Sequence, residues 1–337
     1  METVADLFLK REGEYLSPYA FHTVNTRGRL HPCEKSECRT EFQRDRDRIL
    51  HSKSFRRLMH KTQVFFAPEE EHYRTRMTHT LEVTQIARII ARALSLNEDL
   101  TEAIALGHDL GHTPFGHAGE KAMAACFSPD FTHYAQSLRV VDCLENGGNG
   151  LNLTYEVRDG IVNHTGEHMA STLEGIVVKL ADRIAYVNHD IDDACRAGIL
   201  TPSDIPHAVT DMLGATHSER INTLVSSVIS ASEGKPSVTM AQDVSEAFAE
   251  LRGFMYRHVY TNSTAKAEEE KAIGLLCRLY EYYLAHPEEM PRLYFMGIEK
   301  DGVARCVCDF IAGMSDRYAI ETYREIFIPK VWRKPTV

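Results

Sequence analysis

The sequence predicts an all-α protein with at most one small β-hairpin near residues 61–74. Two observations carry that expectation. Apolar residues recur at three- and four-residue intervals over most of the chain. No βαβ series, internal repeat or low-complexity tract interrupts them. Residues 1–40 are the exception: Pro18, Arg27-Gly28 and His31-Pro32 punctuate them, so an irregular N-terminal arm is expected. From Glu41 the texture changes, with Phe42, Ile49, Leu50, Phe55 and Leu58 at roughly helical spacing between charges. Lys61–Tyr73 holds TQVFF, Ala67-Pro68 and an acidic triplet, which suits a hairpin better than a helix. Met77–Ser95 reads as a long helix with Leu81, Ile86, Ile89, Ile90 and Leu94 as its buried stripe. Asn97 reads as the N-cap of the next helix, with Leu100, Ile104 and Leu106 apolar.

Gly107, Gly111, Pro114 and Gly116 then cluster around HDLGHTPFGH, which predicts a broken helix or turn. Helical patterns resume at about 120–127, 133–144, 151–163 and 172–197, and again near 216–231, 243–262, 265–285 and 303–327. The 231–237 stretch, with Gly234 and Pro236, is the best boundary. The expected organisation is an arm over 1–40, a core over 41–230, and a C-terminal helical lobe over 231–337 packed on that core.

Composition narrows the function. The chain has 337 residues, 43% of them apolar, and a formal charge of −10, so a sizeable core is expected and non-specific coating of nucleic acid is not. No run of about 18 apolar residues is present, so no membrane span is expected. The N-terminus carries charges where a secretion signal would be apolar. The eight cysteines are scattered without a C-x-x-C pair; reduced thiols and a soluble, cytoplasmic protein are the expectation.

The seventeen histidines are unevenly placed: His79, His108, His112, His117 and His133 fall in a 55-residue stretch with Asp109 and Glu120, and Arg76 stands three residues before it. Imidazole and carboxylate together form a donor set for Mn²⁺, Fe²⁺, Ni²⁺, Co²⁺, Zn²⁺ or, less ideally, Mg²⁺. Adjacent His108 and Asp109 can reach one ion only where the helix ends or widens, and Gly107 and Gly111 allow that. A lone histidine on an apolar helix is more often a hydrogen-bonded core residue than a ligand, so the combination matters. Asp182 lies between VVKLA and RIAY on a stripe that should be buried, where a carboxylate is costly unless charge-paired or metal-bound. Asp182, Tyr186 and Asp190 are spaced i, i+4, i+8 and share one face: a site wall, or a structural salt-bridge network.

The order H…HD…D, as His79, His108-Asp109 and Asp182, resembles the HD-domain metal-dependent phosphohydrolases. The words TEFQRDRDRILHSKSFRRLMHKTQVF, RTRMTHTLEV, HDLGHTPFGHAGE, HYAQSLRVV, ADRIAYVNHDIDDA and GMSDRYA are similar to the bacterial dGTPase-like deoxynucleoside triphosphate triphosphohydrolases, over about residues 15–330. That resemblance implies an HD-type core. It also implies one divalent metal ion on His79, His108, Asp109 and Asp182, and hydrolysis of a dNTP to deoxynucleoside and tripolyphosphate. It places His117 and Glu120 as a catalytic histidine and its carboxylate partner, the acid orienting the imidazole and favouring protonation of the leaving 5′ oxygen. It implies phosphate contacts for His112 and His133, and with Arg76 and Arg183 a cationic lining for the polyphosphate. Tyr186 and Asp190 match positions at the sugar, and Gln63 either meets the 3′-hydroxyl or is a hairpin residue without a ligand. The basic run Arg44, Arg46, Arg48, Lys53, Arg56 and Arg57 reads as a solvated helix face, while the resemblance adds subunit contacts or a dNTP effector site. A homo-oligomer, tetramer or hexamer, is implied. The alternatives are another HD phosphohydrolase, such as a nucleotidase or cyclic-nucleotide phosphodiesterase, and a nucleotide-sensing or single-stranded nucleic-acid-binding protein. No role for Asp316–Ala319 follows from the sequence.

Overall fold

The computed structural model describes residues 2–63, 74–260 and 263–330. Helices make up 69% of it and strands are essentially absent, as expected. Among the described residues pairing is limited to isolated antiparallel bridges, Arg29 with Thr154 and Thr62 with Thr75. The second sits where a hairpin over 61–74 would close; the rest of that expected hairpin lies outside the described residues.

The first apolar core is built where Arg76–Ala93, Glu98–Gly107 and Leu173–Arg196 pack together, flanked by Glu41–Leu50 and Tyr155–Val162. Local chemistry sets these helices. Thr75 caps the first through Thr78 N–H, Asn97 caps the second through Leu100 N–H, as its position predicted, and Thr172 caps the third through Gly175 N–H. The Arg76–Ala93 helix presents His79, Thr80, Val83, Ile86, Ala87 and Ile90 to the interior. Leu81 and Ile89, expected in its stripe, are about half exposed. Small Ala87 and Ala91 are fully buried in their place, so the interior stripe centres on their face and the two bulky residues point outward.

The N-terminal arm departs from the expected irregular conformation. Val4–Tyr15 is helical, closed by a capping box between Thr3 and Asp6. Only Ala5 of that helix is buried, so its apolar period is weak and the cap specifies its start. The arm is anchored further on, where the Arg29 guanidinium donates to Asp45, Glu41 and the Asn152 carbonyl.

A second apolar core joins helices Ser263–Ala285, Val303–Ala312 and Asp316–Phe327 to His117–Cys126 through Leu276, Leu279, Val307, Ile311, Ala122 and Met123. The 231–237 link therefore separates helices of one core: His217–Ser232 and Gln242–Met255 both pack into the first. The pattern expected over 303–327 is broken at Gly313, between Ala312 and the Ser315 cap of the next helix. Cys126 and Cys277, with Cα atoms 5.9 Å apart, are joined as a disulfide inside this second core, whereas the sequence favoured reduced thiols throughout. No helix among the described residues is long and apolar enough to cross a membrane.

Candidate metal centre

The Glu98–Gly107 helix ends one residue before the His-Asp pair. His108 begins the turn, and its Nδ1–H donates to the Ala105 carbonyl at 2.7 Å. That bond leaves Nε2 as the free ring nitrogen, buried and without a hydrogen-bond partner. It faces two carboxylates, 3.6 Å from Asp109 Oδ2 and 3.9 Å from Asp182 Oδ1. His79 Nε2 lies 3.1 Å from the same Asp182 oxygen. His79, His108 and Asp109 hold one donor atom each within 4.8 Å of one another. All four side chains come from the three helices of the first core or the turn after one of them, so rigid elements position them.

The chain approaches itself closely here. A Cβ on Gly111 would lie 2.0 Å from the Ser137 backbone nitrogen. Glycine lets the Gly111 N–H reach Ser137 Oγ at 2.9 Å, while that hydroxyl donates to the His108 carbonyl at 2.8 Å. The turn bearing the His-Asp pair is thereby pinned to the helix bearing His133.

Electrostatics follow from this crowding. Burial works against ionised Asp109, yet His108 and the Arg76 guanidinium, 2.7 Å away, hold its carboxyl well below the usual range. Burial likewise opposes ionised Asp182, but its bond to His79 lowers it to about 2. Two anionic carboxylates and an orphaned, buried imidazole nitrogen are the donor chemistry a divalent cation needs. The residues fit one.

Beside this cluster lies a run of histidines. His112 and His133 stack with ring centroids 4.7 Å apart, and burial, Arg76 and His133 keep His112 neutral, its pKa well below normal. The expected His117–Glu120 pair is present but extended. Glu120 Oε2 is 3.7 Å from His117 Nδ1, while Glu120 Oε1 accepts from the His133 backbone N–H at 2.9 Å and lies 3.1 Å from His133 Nδ1. Glu120 is held anionic despite burial, because both histidines bear on it. His117 is the accessible member, its side chain 74% exposed.

The sequence did not single out His164 or His189. His164 is buried, donates Nδ1–H to the Ile161 carbonyl, and brings Nε2 to 3.4 Å from His133 Nε2. Burial and the charges of His108 and His133 push it down to about 3. His189 packs edge-on to His79 at 6.0 Å. Its position, seven residues after Asp182, was a legible signal, since i+7 returns to the same helix face.

The remaining expected contacts divide. Arg76 is buried in the site on Asp109. Tyr186 and Asp190 follow Asp182 down the helix, with the Tyr186 hydroxyl accepting from Arg252 Nε at 3.1 Å and Asp190 accepting from the Tyr260 hydroxyl. Arg252 and Tyr260, unforeseen, belong to this wall. Gln63 leaves a buried Oε1 without a partner, and its backbone oxygen would lie 3.1 Å from a Cβ on Gly116. Arg183 is half-buried and makes no hydrogen bond or ion pair with another of these side chains among the described residues.

Burial raises the Asp190 carboxyl to about 7, outweighing the Tyr260 hydrogen bond. The native state then binds a proton that the unfolded chain releases near pH 4. This contribution to stability is full below pH 4 and is lost as pH rises through 7. Asp190→Asn should therefore flatten the fall in stability between pH 4 and 7, measured as urea midpoints. A variant whose midpoints track the parent chain across that window would contradict the assignment.

Residues 76–187 match the HD domain, and residues 238–325 match the phosphohydrolase-associated domain. A deoxyguanosinetriphosphate triphosphohydrolase-like protein of Caldanaerobacter subterraneus subsp. tengcongensis is 54% identical, covering 98% of this chain and 97% of the relative. Proteins of the same description from Desulfatibacillum aliphaticivorans and Geobacter sulfurreducens are 47% and 38% identical, over 97% and 93% of this chain and 99% and 95% of theirs. A phosphohydrolase from Bacteroides thetaiotaomicron shares the fold, with a TM-score of 0.52 and 20% identity, over 83% of this chain and 67% of the other.

Proposed function

This chain belongs to the HD-domain phosphohydrolase family of deoxyguanosinetriphosphate triphosphohydrolase-like proteins, and from that footing we propose that it hydrolyses deoxynucleoside triphosphates to deoxynucleoside and tripolyphosphate. The observation that carries the reading is the continuity of two clusters. The donor set of His79, His108, Asp109 and Asp182 runs directly into His112, His133, Glu120 and His117, from lone pairs suited to a cation to a carboxylate–imidazole pair suited to proton transfer.

A divalent ion on the first four residues would supply Lewis-acid stabilisation of a phosphate oxygen. The chain's own residues do the rest. Arg76 and neutral His112 offer donors along the phosphates. Glu120 orients His117, so His117 can hand a proton to the leaving 5′ oxygen. Tyr186 and Asp190 form a wall for the sugar, and Gln63 offers its side-chain amide to the 3′-hydroxyl; a wall without space for a 2′-hydroxyl selects deoxy substrates.

Because His117 is exposed, replacing it should cost little stability. His117→Ala is expected to lower kcat by about 10²–10⁴-fold, the usual worth of a positioned acid, with metal stoichiometry unchanged. A fall of less than tenfold in steady-state assays would remove His117 from that role. Product analysis with Mn²⁺ or Mg²⁺ and each dNTP tests the activity itself: tripolyphosphate supports it, whereas inorganic phosphate released from dNMPs favours the nucleotidase alternative.

A second observation favours a regulatory partner. A cleft of about 1350 Å³ is lined by Arg48, His51, Lys53, Arg56, Arg57 and His60, and by none of the four residues of the donor set. Part of the basic run is not a free solvated face: Arg46 pairs with Asp99 and Glu102, and Arg48 donates to the Leu151 and Asn152 carbonyls. Arg56 and Lys53 stay exposed. We read the cleft as a site for a dNTP effector in a homo-oligomer, tetramer or hexamer. Stimulation of turnover by a second dNTP, lost in Arg56→Ala, supports this; a single-stranded oligonucleotide stimulating in its place would assign the cleft to nucleic acid.

A further inference from the structure

The segment Asp316–Ala319 stands far from the donor set in sequence, at the start of the last described helix, yet its first residue reaches the loop that presents His117. Asp316 is buried, 4% exposed, below the Ser315 cap. Its Oδ2 accepts from the Thr62 backbone N–H at 2.9 Å and from the Thr62 hydroxyl at 2.7 Å. Its Oδ1 accepts from the Phe115 backbone N–H at 2.9 Å. One carboxylate thus ties down the residue before Gln63 and a residue two before His117. Lys61 makes the complementary bridge, its Nζ donating to the His112 carbonyl and, at 2.9 Å, to the Ala312 carbonyl of the C-terminal lobe.

The loop needs such bonds. Phe115 and Gly116 have φ of +61° and +57°. For a residue with a bulky side chain the left-handed region costs about 1–2 kcal/mol, and it persists only where surrounding contacts over-determine it. The Phe115 side chain is buried in the second core, and its N–H is satisfied by Asp316. We propose that Asp316 is a positioning residue for the reaction. Through Asp316 and the Lys61–Ala312 bond, the C-terminal lobe sets the His112–Gly116 loop and Thr62, and so aims His117 and Gln63. The lobe completes the site instead of merely packing beside it. In its kinetic consequence the inference rests on the dNTP reading; in its structural content it does not.

Asp316→Asn tests it with little change of shape. An amide accepts at one oxygen and turns an N–H₂ toward the other donors, so either Phe115 or Thr62 loses its partner. The expected result is faster deuterium exchange in peptides covering 112–120, with 98–107 and 173–196 unchanged. With a substrate the parent chain turns over, kcat should fall about 10–100-fold, as small misplacements of catalytic groups do. KM should change less, and metal stoichiometry should hold. Thr62→Val, which removes one of the three donors, should shift both readouts the same way and by less. It decides the matter should Asp316→Asn fail to fold. Arg317→Ala, at an exposed neighbour paired with Glu321, should change neither. Exchange and kcat both at parent values in Asp316→Asn, or accelerated exchange throughout the chain with no preference for 112–120, would overturn the proposal. If the parent chain turns over no dNTP, the functional reading fails while the exchange experiment still decides this one.

Discussion

His108→Ala is expected to abolish divalent-metal binding and to reduce turnover by at least about a thousandfold, since several kcal/mol of charge stabilisation are at stake and each 1.36 kcal/mol is tenfold in rate. A local bond fixes this ring. With Nδ1–H committed to Ala105, only Nε2 can serve, and it has no protein partner. It stands between Asp109 and Asp182, whose negative charges are both favoured by neighbouring imidazoles. Removing the ring deletes a ligand that faces both carboxylates, while Asp109 keeps Arg76 and Asp182 keeps His79 as partners. Calorimetric titration with Mn²⁺ and steady-state kinetics on one preparation measure both effects. Retained stoichiometric binding with turnover within tenfold of the parent would remove His108 from the site. A folded variant is expected, because the ring occupies a turn and not the apolar stripe of a helix.

The largest loss of stability is expected at a distance from the chemistry. Asp45→Ala should destabilise the protein by about 3–5 kcal/mol, because breaking a buried ion pair strands the remaining charge. Asp45 is fully buried and accepts from the Thr154 N–H at 2.8 Å, the Thr154 hydroxyl at 2.7 Å and the Arg29 guanidinium, whose side chain is only 5% exposed. Arg29 keeps Glu41 and backbone oxygens as partners, so the stranded cation is partly compensated, but Thr154 loses its acceptor altogether. Arg317→Ala breaks an exposed pair and should cost no more than about 1 kcal/mol, which makes it the control for chemical denaturation. A loss below about 1 kcal/mol in Asp45→Ala would show that the arm is not anchored through this pair.

Particular residues explain what the sequence made legible. Asn97 and Asp182 were readable because each breaks a local rule: a capping residue before an apolar run, and a carboxylate on a buried helix face. The long helix from Arg76 was readable in extent but not in phase. Leu81 and Ile89 face outward because the interior stripe centres on the face of Ala87 and Ala91, and hydrophobicity alone does not weigh smallness. The helix at Val4–Tyr15 was hidden because one buried alanine is too faint a period to detect. The candidate metal donors were legible as residue types in a recognisable order. The bond of Glu120 to His133 was not, since it joins helices whose approach depends on the glycine turn at 111. His164, Tyr260 and Asp316 carry no local signature of the partners they meet; those contacts exist only once helices distant in sequence have been packed together.

Which bond is cut distinguishes the proposed reaction most directly. With purified, metal-loaded chain turning over a dNTP in ¹⁸O-water, mass spectrometry of the products should find one ¹⁸O in tripolyphosphate and none in the deoxynucleoside. That pattern requires attack at the α-phosphorus with departure of the 5′ oxygen, the event we propose His117 and Glu120 to assist. Label in a deoxynucleoside monophosphate released with pyrophosphate, or in the 5′-hydroxyl of the nucleoside, would contradict it, as would a metal-loaded chain inert toward every dNTP.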